Sequence, residues 1–337
     1  MKTRAAALQG GLAAVGLIAA YTTWQREPER KAGEVVVVGA SVGDIQKIRF
    51  QDDSTPTPKW VELERRKEAE EPHVWLKVSA RDKNPERELR GNEAAGKTYD
   101  KFAPLKATRA LGLLAADKLK EINLESPKKR IEVTVRGQKR VFLVGNSPFG
   151  VSDPYVRDEA DNKVYVLGGG VIADLDNAAI RLVDRQLHDW KTSEFDALIV
   201  TAGDKKRELV QSTPEVPAQA KLASKSGRTD ELAKNWHDKI FRMLVSDVLG
   251  KGETPKAGEP QIALRIDYTM RGKPRGFVEV GRVQGKPPEA TSSSAAPPPT
   301  PPAEFYARSE STAGWVKLGT SIEPLLTEGA KIAASAD

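Results

Sequence analysis

The second half of this 337-residue chain rewrites its first half. Residues Arg130–Gly137 read RIEVTVRG and Arg265–Gly272 read RIDYTMRG, with five of eight positions identical and Glu/Asp and Val/Met near-equivalent. Upstream, Asp100, Ala103, Leu114, Asp117 and Leu119 align with Asp230, Ala233, Leu244, Asp247 and Leu249. Downstream, Tyr155, Arg157, Glu159, Leu167, Gly168 and Leu175 align with Tyr306, Arg308, Glu310, Leu318, Gly319 and Leu326. Three blocks in the same order constrain the architecture before any motif is read, because each copy must be one supersecondary unit.

The length leaves room for two domains, each with its own core. A composition that is 39% hydrophobic and 30% charged is globular rather than disordered. The net charge of +6 comes from 53 basic and 47 acidic residues with the signs interspersed. No basic stripe with interleaved aromatics is present, so nucleic acid is not expected as a partner. The absence of cysteine excludes disulfides, thiolate metal sites and a Cys nucleophile.

An address is written in the N-terminus. Lys2 and Arg4 precede Ala5–Thr23, nineteen residues without a charge. As a helix this run is about 28 Å long, close to the hydrocarbon thickness of a bilayer. Tyr21 and Trp24 stand where interfacial aromatics belong. The small-x-small pattern of a cleavage site is poor, with Leu17 and Ile18 at its third position, so an uncleaved anchor is favoured over a signal peptide. The expectation is a single-pass protein of the inner (cytoplasmic) membrane, held through residues 5–23, with its N-terminus in the cytoplasm and its body in the periplasm.

Residues 1–31 are thus read as anchor and charged spacer, 32–190 as a first unit, 191–327 as a second and 328–337 as a tail. In the first unit, strands are expected at 34–38, 45–50, 59–64 and 74–78, forming an antiparallel meander. Residues 82–100 read as a polar loop and 101–122 as a helix with Leu111, Leu114 and Ala115 on one buried face. A hairpin follows, turning at Arg136-Gly137, then strands at 154–157 and 164–167 and a short helix near 171–183. The second unit starts at Phe195, with a helix over 230–249 burying Trp236, Ile240, Phe241, Leu244 and Leu249, and a hairpin over 261–281. The tract 287–303 (PPEATSSSAAPPPTPPA) looks like a linker. However, the offset between the halves is about 135 at the hairpin and 151 at Tyr306, and the 16-residue difference matches the tract. It is therefore expected to be a disordered loop extruded within the second unit. The fold class is α+β: two tandem, mutually similar units of mostly antiparallel sheet with a packed helix, after an N-terminal transmembrane helix.

Chemistry is hard to find. His73, His188 and His237 have no metal-pair spacing, and Asp184 with His188 supplies too few ligands. Gly168-Gly169-Gly170 lacks the Lys-Ser/Thr of a P-loop and the spacing of a dinucleotide fingerprint, so a tight turn is the better reading. No Ser sits in a nucleophile elbow. The pairs Asp174/Asp176 and Asp184/Asp189 fit capping and ion pairing with Arg181 and Arg185. Trp60, Trp75, Trp190, Trp236 and Trp315 fit core or sheet-face packing. No catalytic, cofactor-binding or metal residue is nominated, no cofactor is expected, and the chain is not read as an enzyme.

The arrangement nonetheless resembles a known family. The strands Ile45–Phe50, Trp60–Leu63 and Val74–Leu76 are followed by an expected leucine-rich helix and a strand ending Leu143-Val144-Gly145. Then come Tyr155-Val156-Arg157, Val164–Leu167 and Leu182-x-Asp184-Arg185-x-Leu187 before Trp190. This pattern is similar to DUF4340, an uncharacterised bacterial family, over about 40–210. The Pro-rich insertion is not part of it. The resemblance implies association with ABC-type transport systems linked to gliding motility and brings no catalytic residues. The expected function is a membrane-anchored, periplasm-facing accessory or scaffold protein that binds protein partners, including ABC transporter components. The alternative is a solute- or glycan-binding module using the cleft between the two repeats.

Overall fold

Period-two alternation of apolar residues builds two antiparallel sheets. The computed structural model describes residues 33–68, 71–79, 86–150, 152–168, 170–212, 221–284 and 302–335. The first ten strands are β1 (Val35–Val38), β2 (Ile45–Asp52), β3 (Lys59–Glu68), β4 (Glu71–Val78), β5 (Arg87–Arg90), β6 (Leu105–Gly112), β7 (Lys129–Val135), β8 (Gln138–Val144), β9 (Tyr155–Asp158) and β10 (Val164–Leu167). They form one sheet in the order β1-β6-β10-β9-β8-β7-β2-β3-β4-β5. Val133, Ile48, Leu63, Leu76 and Leu89 stand opposite one another across five of these strands, each at most 3% exposed. Four helices accompany the sheet: α1 (Glu93–Asp100), α2 (Ala116–Glu121), α3 (Val171–Asp176) and α4 (Ala178–Arg181). Tyr99 of α1 is fully buried and donates its hydroxyl to the Ile45 carbonyl at 2.7 Å.

The second sheet has eight strands: β11 (Ala197–Ala202), β12 (Lys205–Ser212), β13 (Lys221–Ala223), β14 (Val245–Val248), β15 (Gln261–Met270), β16 (Lys273–Val283), β17 (Glu304–Ser309) and β18 (Val316–Leu318). Their order is β13-β12-β11-β15-β16-β17-β18-β14. Two helices cover it, α5 (Glu231–Phe241) and α6 (Glu323–Ala334). They meet at Gly329, where a Cβ would lie 2.7 Å from Trp236, and Trp236 donates its indole N–H to the Leu325 carbonyl at 2.8 Å. Both long hairpins turn on an Arg-Gly pair at positive φ: Arg136 (49°) and Gly137 (79°), then Arg271 (51°) and Gly272 (73°). A two-residue turn with positive φ at both positions matches the twist of paired strands, and glycine adopts it without a Cβ clash.

The sheets share one continuous hydrophobic core, joined through Leu182, Val183, Leu187 and Trp190. The seam is also polar. Arg87 of β5 reaches Glu253 at 3.0 Å and the Val248 carbonyl at 3.3 Å, Lys251 N–H donates to the Glu88 carbonyl at 2.8 Å, and Arg90 donates to the Ser311 carbonyl at 2.8 Å.

Several expectations are corrected. The leucine-rich stretch 101–122 is not one helix: β6 pairs on both sides, with β1 and β10, and only then does the short α2 begin. A strand in that slot satisfies backbone groups on both flanks, which outweighs the leucine spacing. Leu113 is accordingly 72% exposed, and Leu111, Leu114 and Ala115 form no helix face over Ile131 and Val133. Residues 82–100 are not a polar loop throughout, since they hold β5 and α1. Asn92 caps α1 by accepting from Ala95 N–H at 3.0 Å, and Ala95, Thr98 and Tyr99 bury one stripe. The helix expected over 230–249 ends at Phe241, and Leu244, expected inside, is 87% exposed. Asp100 ends α1 whereas Asp230 caps α5, so the upstream alignment of these two is out of step with the elements. The tail expected from 328 is the second half of α6, with Gly329, Ile332 and Ala333 buried. The predicted anchor at 5–23 lies outside the described residues; among those described, no helix is long and apolar enough to cross a membrane. Of the tract expected as a loop at 287–303, residues 287–301 also lie outside them, and the strands on either side pair directly, with Val283 opposite Glu304.

Candidate binding groove

The three histidines come from separate stretches of the chain. His73 on β4 lies 2.9 Å from Arg90, His188 is in the segment between the sheets, and His237 is on α5. Asp184 and His188 share no helix; Asp184 instead turns the chain by accepting from Gln186 N–H at 2.9 Å. Burial raises the Asp184 carboxyl above its ordinary value. Asp174 pairs with Arg181 at 3.0 Å and Asp176 with Lys129 at 3.2 Å. At Gly168 a Cβ would meet Thr108 at 2.5 Å, so that glycine answers a packing demand. Gly170, at φ 66°, starts the six-residue α3. Among the described residues no group of three or more His, Asp and Glu could hold a metal ion.

What spacing along the chain did not reveal is that two of the histidines share the same aromatic neighbours. His188 and His237 join Trp190, Phe195, Phe241 and Tyr268 in one aromatic cluster at the seam. The His188 ring stacks on Phe241 with centroids 4.9 Å apart and lies 4.5 Å from Trp190. Tyr268 stands edge-on to Trp190 at 5.0 Å, and its hydroxyl is 3.1 Å from His237 Nε2. Such tilted and offset geometries suit the ring quadrupoles. Burial pushes His237 down to about 3, so its imidazole is neutral near pH 7, and burial raises the Tyr268 phenol.

One carboxylate anchors the cluster. Glu310, just after β17, lies 2.8 Å from His188 Nδ1 and accepts from Trp190 Nε1 and Phe277 N–H, both at 2.7 Å. Burial alone would raise this carboxyl; the bond from His188, its charge and the Phe277 N–H prevail and hold it below the ordinary value. Gly276 makes the approach possible, because a Cβ there would come within 2.5 Å of the carboxyl carbon.

In front of the cluster lies an open groove of about 560 Å³ between residues 185–192 and 241–245. Buried His188 and Trp190 and partly buried Phe241 form its floor, and Arg185, Lys191 and Arg242 are its charged residues, all basic. Leu244 stands exposed on its far wall. His188 Nε2 is buried without a hydrogen-bond partner among the described residues. Among the described residues that line it there is no nucleophile with an adjacent base and no carboxylate pair.

No curated protein and no solved structure matches the chain. A family model does, for a domain of unknown function, over residues 44–260, which contain both walls of the groove. That match covers more than half of the sequence, and the chain belongs to the DUF4340 family.

Proposed function

We propose that this protein is a non-enzymatic accessory or scaffold protein. Residues 5–23 anchor it in the inner membrane, and its two-sheet body faces the periplasm and holds protein partners of an ABC-type transport or motility system. The observation that carries the reading is the groove, with an apolar floor and a basic rim and without an acid–base or nucleophilic constellation. A glycan-binding cleft would present its rings to the ligand, whereas Trp190 is 4% exposed and tied to Glu310, which favours the polypeptide guest.

The body itself is read as a tandem duplication. Connecting β6-β10-β9-β8-β7-β2-β3-β4 through the chain follows the same path as β14-β18-β17-β16-β15-β11-β12-β13. The Arg-Gly turns coincide in this scheme, as do Asn92 and Asp230, each capping a helix through an N–H three residues on. Asp44 and Asp196, immediately before β2 and β11, each bind the arginine of the neighbouring turn. A duplicated sheet with its helices gives a broad rigid body, as a scaffold requires.

Two measurements test the reading. The full chain should fractionate with membranes, and a C-terminal reporter active only outside the cytoplasm should give signal. Tagged full-length protein should retain transporter components in a pull-down. A soluble mature form beginning near Tyr21, or no retained partner, overturns the proposal.

A further inference from the structure

The two sheets differ at one corresponding edge. In the first sheet β6 is covered: Val35 lies opposite Ala107, Val36 opposite Lys106 and Val38 opposite Leu105. In the second sheet β14 is the end strand among the described residues, with Arg87 of β5 against its far end at Asp247 and Val248. The positions correspond closely, since Ala107 pairs with Leu167 before Gly168, and Val245 pairs with Leu318 before Gly319. Met243–Val245 therefore stand where Leu105–Ala107 stand in the first sheet.

The counterpart of β1 can be followed too. The Val37 carbonyl accepts from Arg140 at 2.9 Å, and the Leu187 carbonyl accepts from Ser309, whose place on β17 matches that of Asp158 on β9. The segment Leu187–Trp190 thus runs past the second sheet before β11, as Val37–Ala40 runs past the first before β2. It carries two rings, His188 and Trp190, the first stacked on Phe241. Between this segment and residues 241–245 lies the groove of about 560 Å³.

We propose that this groove accepts an extended, apolar segment of a partner polypeptide carrying carboxylates, which pairs as a strand alongside Leu244 and Val245, where β14 begins. Strand addition to a sheet edge draws affinity from main-chain bonds and selectivity from side-chain pockets. The chemistry of the guest follows from two observations. The strand on the corresponding edge is four valines preceded by Glu34, which pairs with Lys106 at 3.5 Å. The charged residues lining the empty edge are all basic. The proposal rests on the scaffold reading and gives its partner a chemical identity.

The test uses the full chain in detergent micelles and a dye-labelled peptide, EEGEVVVVG, followed by fluorescence anisotropy. Saturable binding is expected, weakened about tenfold by Arg242→Glu and by Leu244→Asp, both surface changes that leave the core intact. An analogue with lysines for glutamates, or with two valines replaced by proline, should not compete. Absent binding, equal binding of the lysine analogue, or indifference to both variants overturns the proposal. So does a dimer that Leu244→Asp dissolves, since the edge then belongs to a second copy. Failure here with transporter components still retained by the full chain removes the groove as partner site and leaves the scaffold reading standing. Peptide binding without any retained component does the reverse.

Discussion

At the scale of single residues, Glu310 and Gly276 form a lock-and-keyhole pair. Glu310→Ala leaves the Trp190 and Phe277 N–H groups without their acceptor, at a cost of about 1–3 kcal/mol. Gly276→Ala places a Cβ inside the space of that carboxyl, an overpacking cost of about 1–3 kcal/mol. Combined, the two changes should cost less than their sum, because the shorter side chain removes the clash; chemical denaturation of the four proteins measures the coupling. Two groups of the cluster contribute to the acid limb of stability. His237 titrates near 3 in the fold and near its ordinary value when unfolded, so the unfolded chain binds the extra proton between those limits. Its contribution is therefore complete above the ordinary histidine value and is lost as pH falls toward 3, at up to about 1.4 kcal/mol per unit. The Glu310 carboxyl is held below its ordinary value, so its contribution is present above the ordinary carboxylate range and is lost as pH falls below it. Melting temperatures from pH 7 to 4 should fall for the native chain and fall less steeply for His237→Phe. An unchanged slope in that variant removes His237 as the cause.

At the scale of elements, the two helix caps provide a matched comparison. Asn92 satisfies one N–H of α1, and Asn92→Ala should cost about 1 kcal/mol. Asp230 does the same for α5 and also faces the buried guanidinium of Arg207 at 2.7 Å. Asp230→Ala removes a cap and one carboxylate partner of the buried Arg207, and should cost more than the cap alone, about 2 kcal/mol or more. Equal costs in urea titrations would mean that the Arg207 contact contributes nothing. The same elements show what a sequence can and cannot reveal. Strands such as Ile45–Asp52 and Gln261–Met270 were legible because their alternation is local, and the Arg-Gly turns because their backbone demand is local. Leu105–Gly112 was not, because its leucines fit a helix in isolation and only the strands at its two sides decide otherwise. The tight helix cap at Asn92 was present in the sequence, hidden inside a stretch that is polar on average. The groove was invisible for a deeper reason: His188, Trp190, Phe241 and Glu310 come from three separate segments, and only tertiary packing brings them together.

At the scale of the molecule, one continuous core ties both sheets together, so they should unfold in a single transition. The Pro-rich tract sharpens this expectation. It connects β16 to β17, which pair with Val283 opposite Glu304, so its ends are neighbours however long the connection is. Loop-closure entropy grows only with the logarithm of length. Replacing residues 285–302 by a four-residue turn should therefore stabilise the chain by only about 1 kcal/mol. Ending the chain at Gln284 is a different change. It removes β17, β18 and α6, and with them the buried Phe305, Val316, Leu318 and Ile332. It also removes Glu310 from the aromatic cluster and the Leu325 carbonyl from Trp236, which exposes the core on both sides of the seam. Scanning calorimetry should show one transition, barely shifted, for the chain with the shortened loop, and no cooperative transition near that temperature for the truncated one. A truncated chain that melts as the whole does would make the tract a true boundary between independent domains, and the continuous core would then carry no coupling between them.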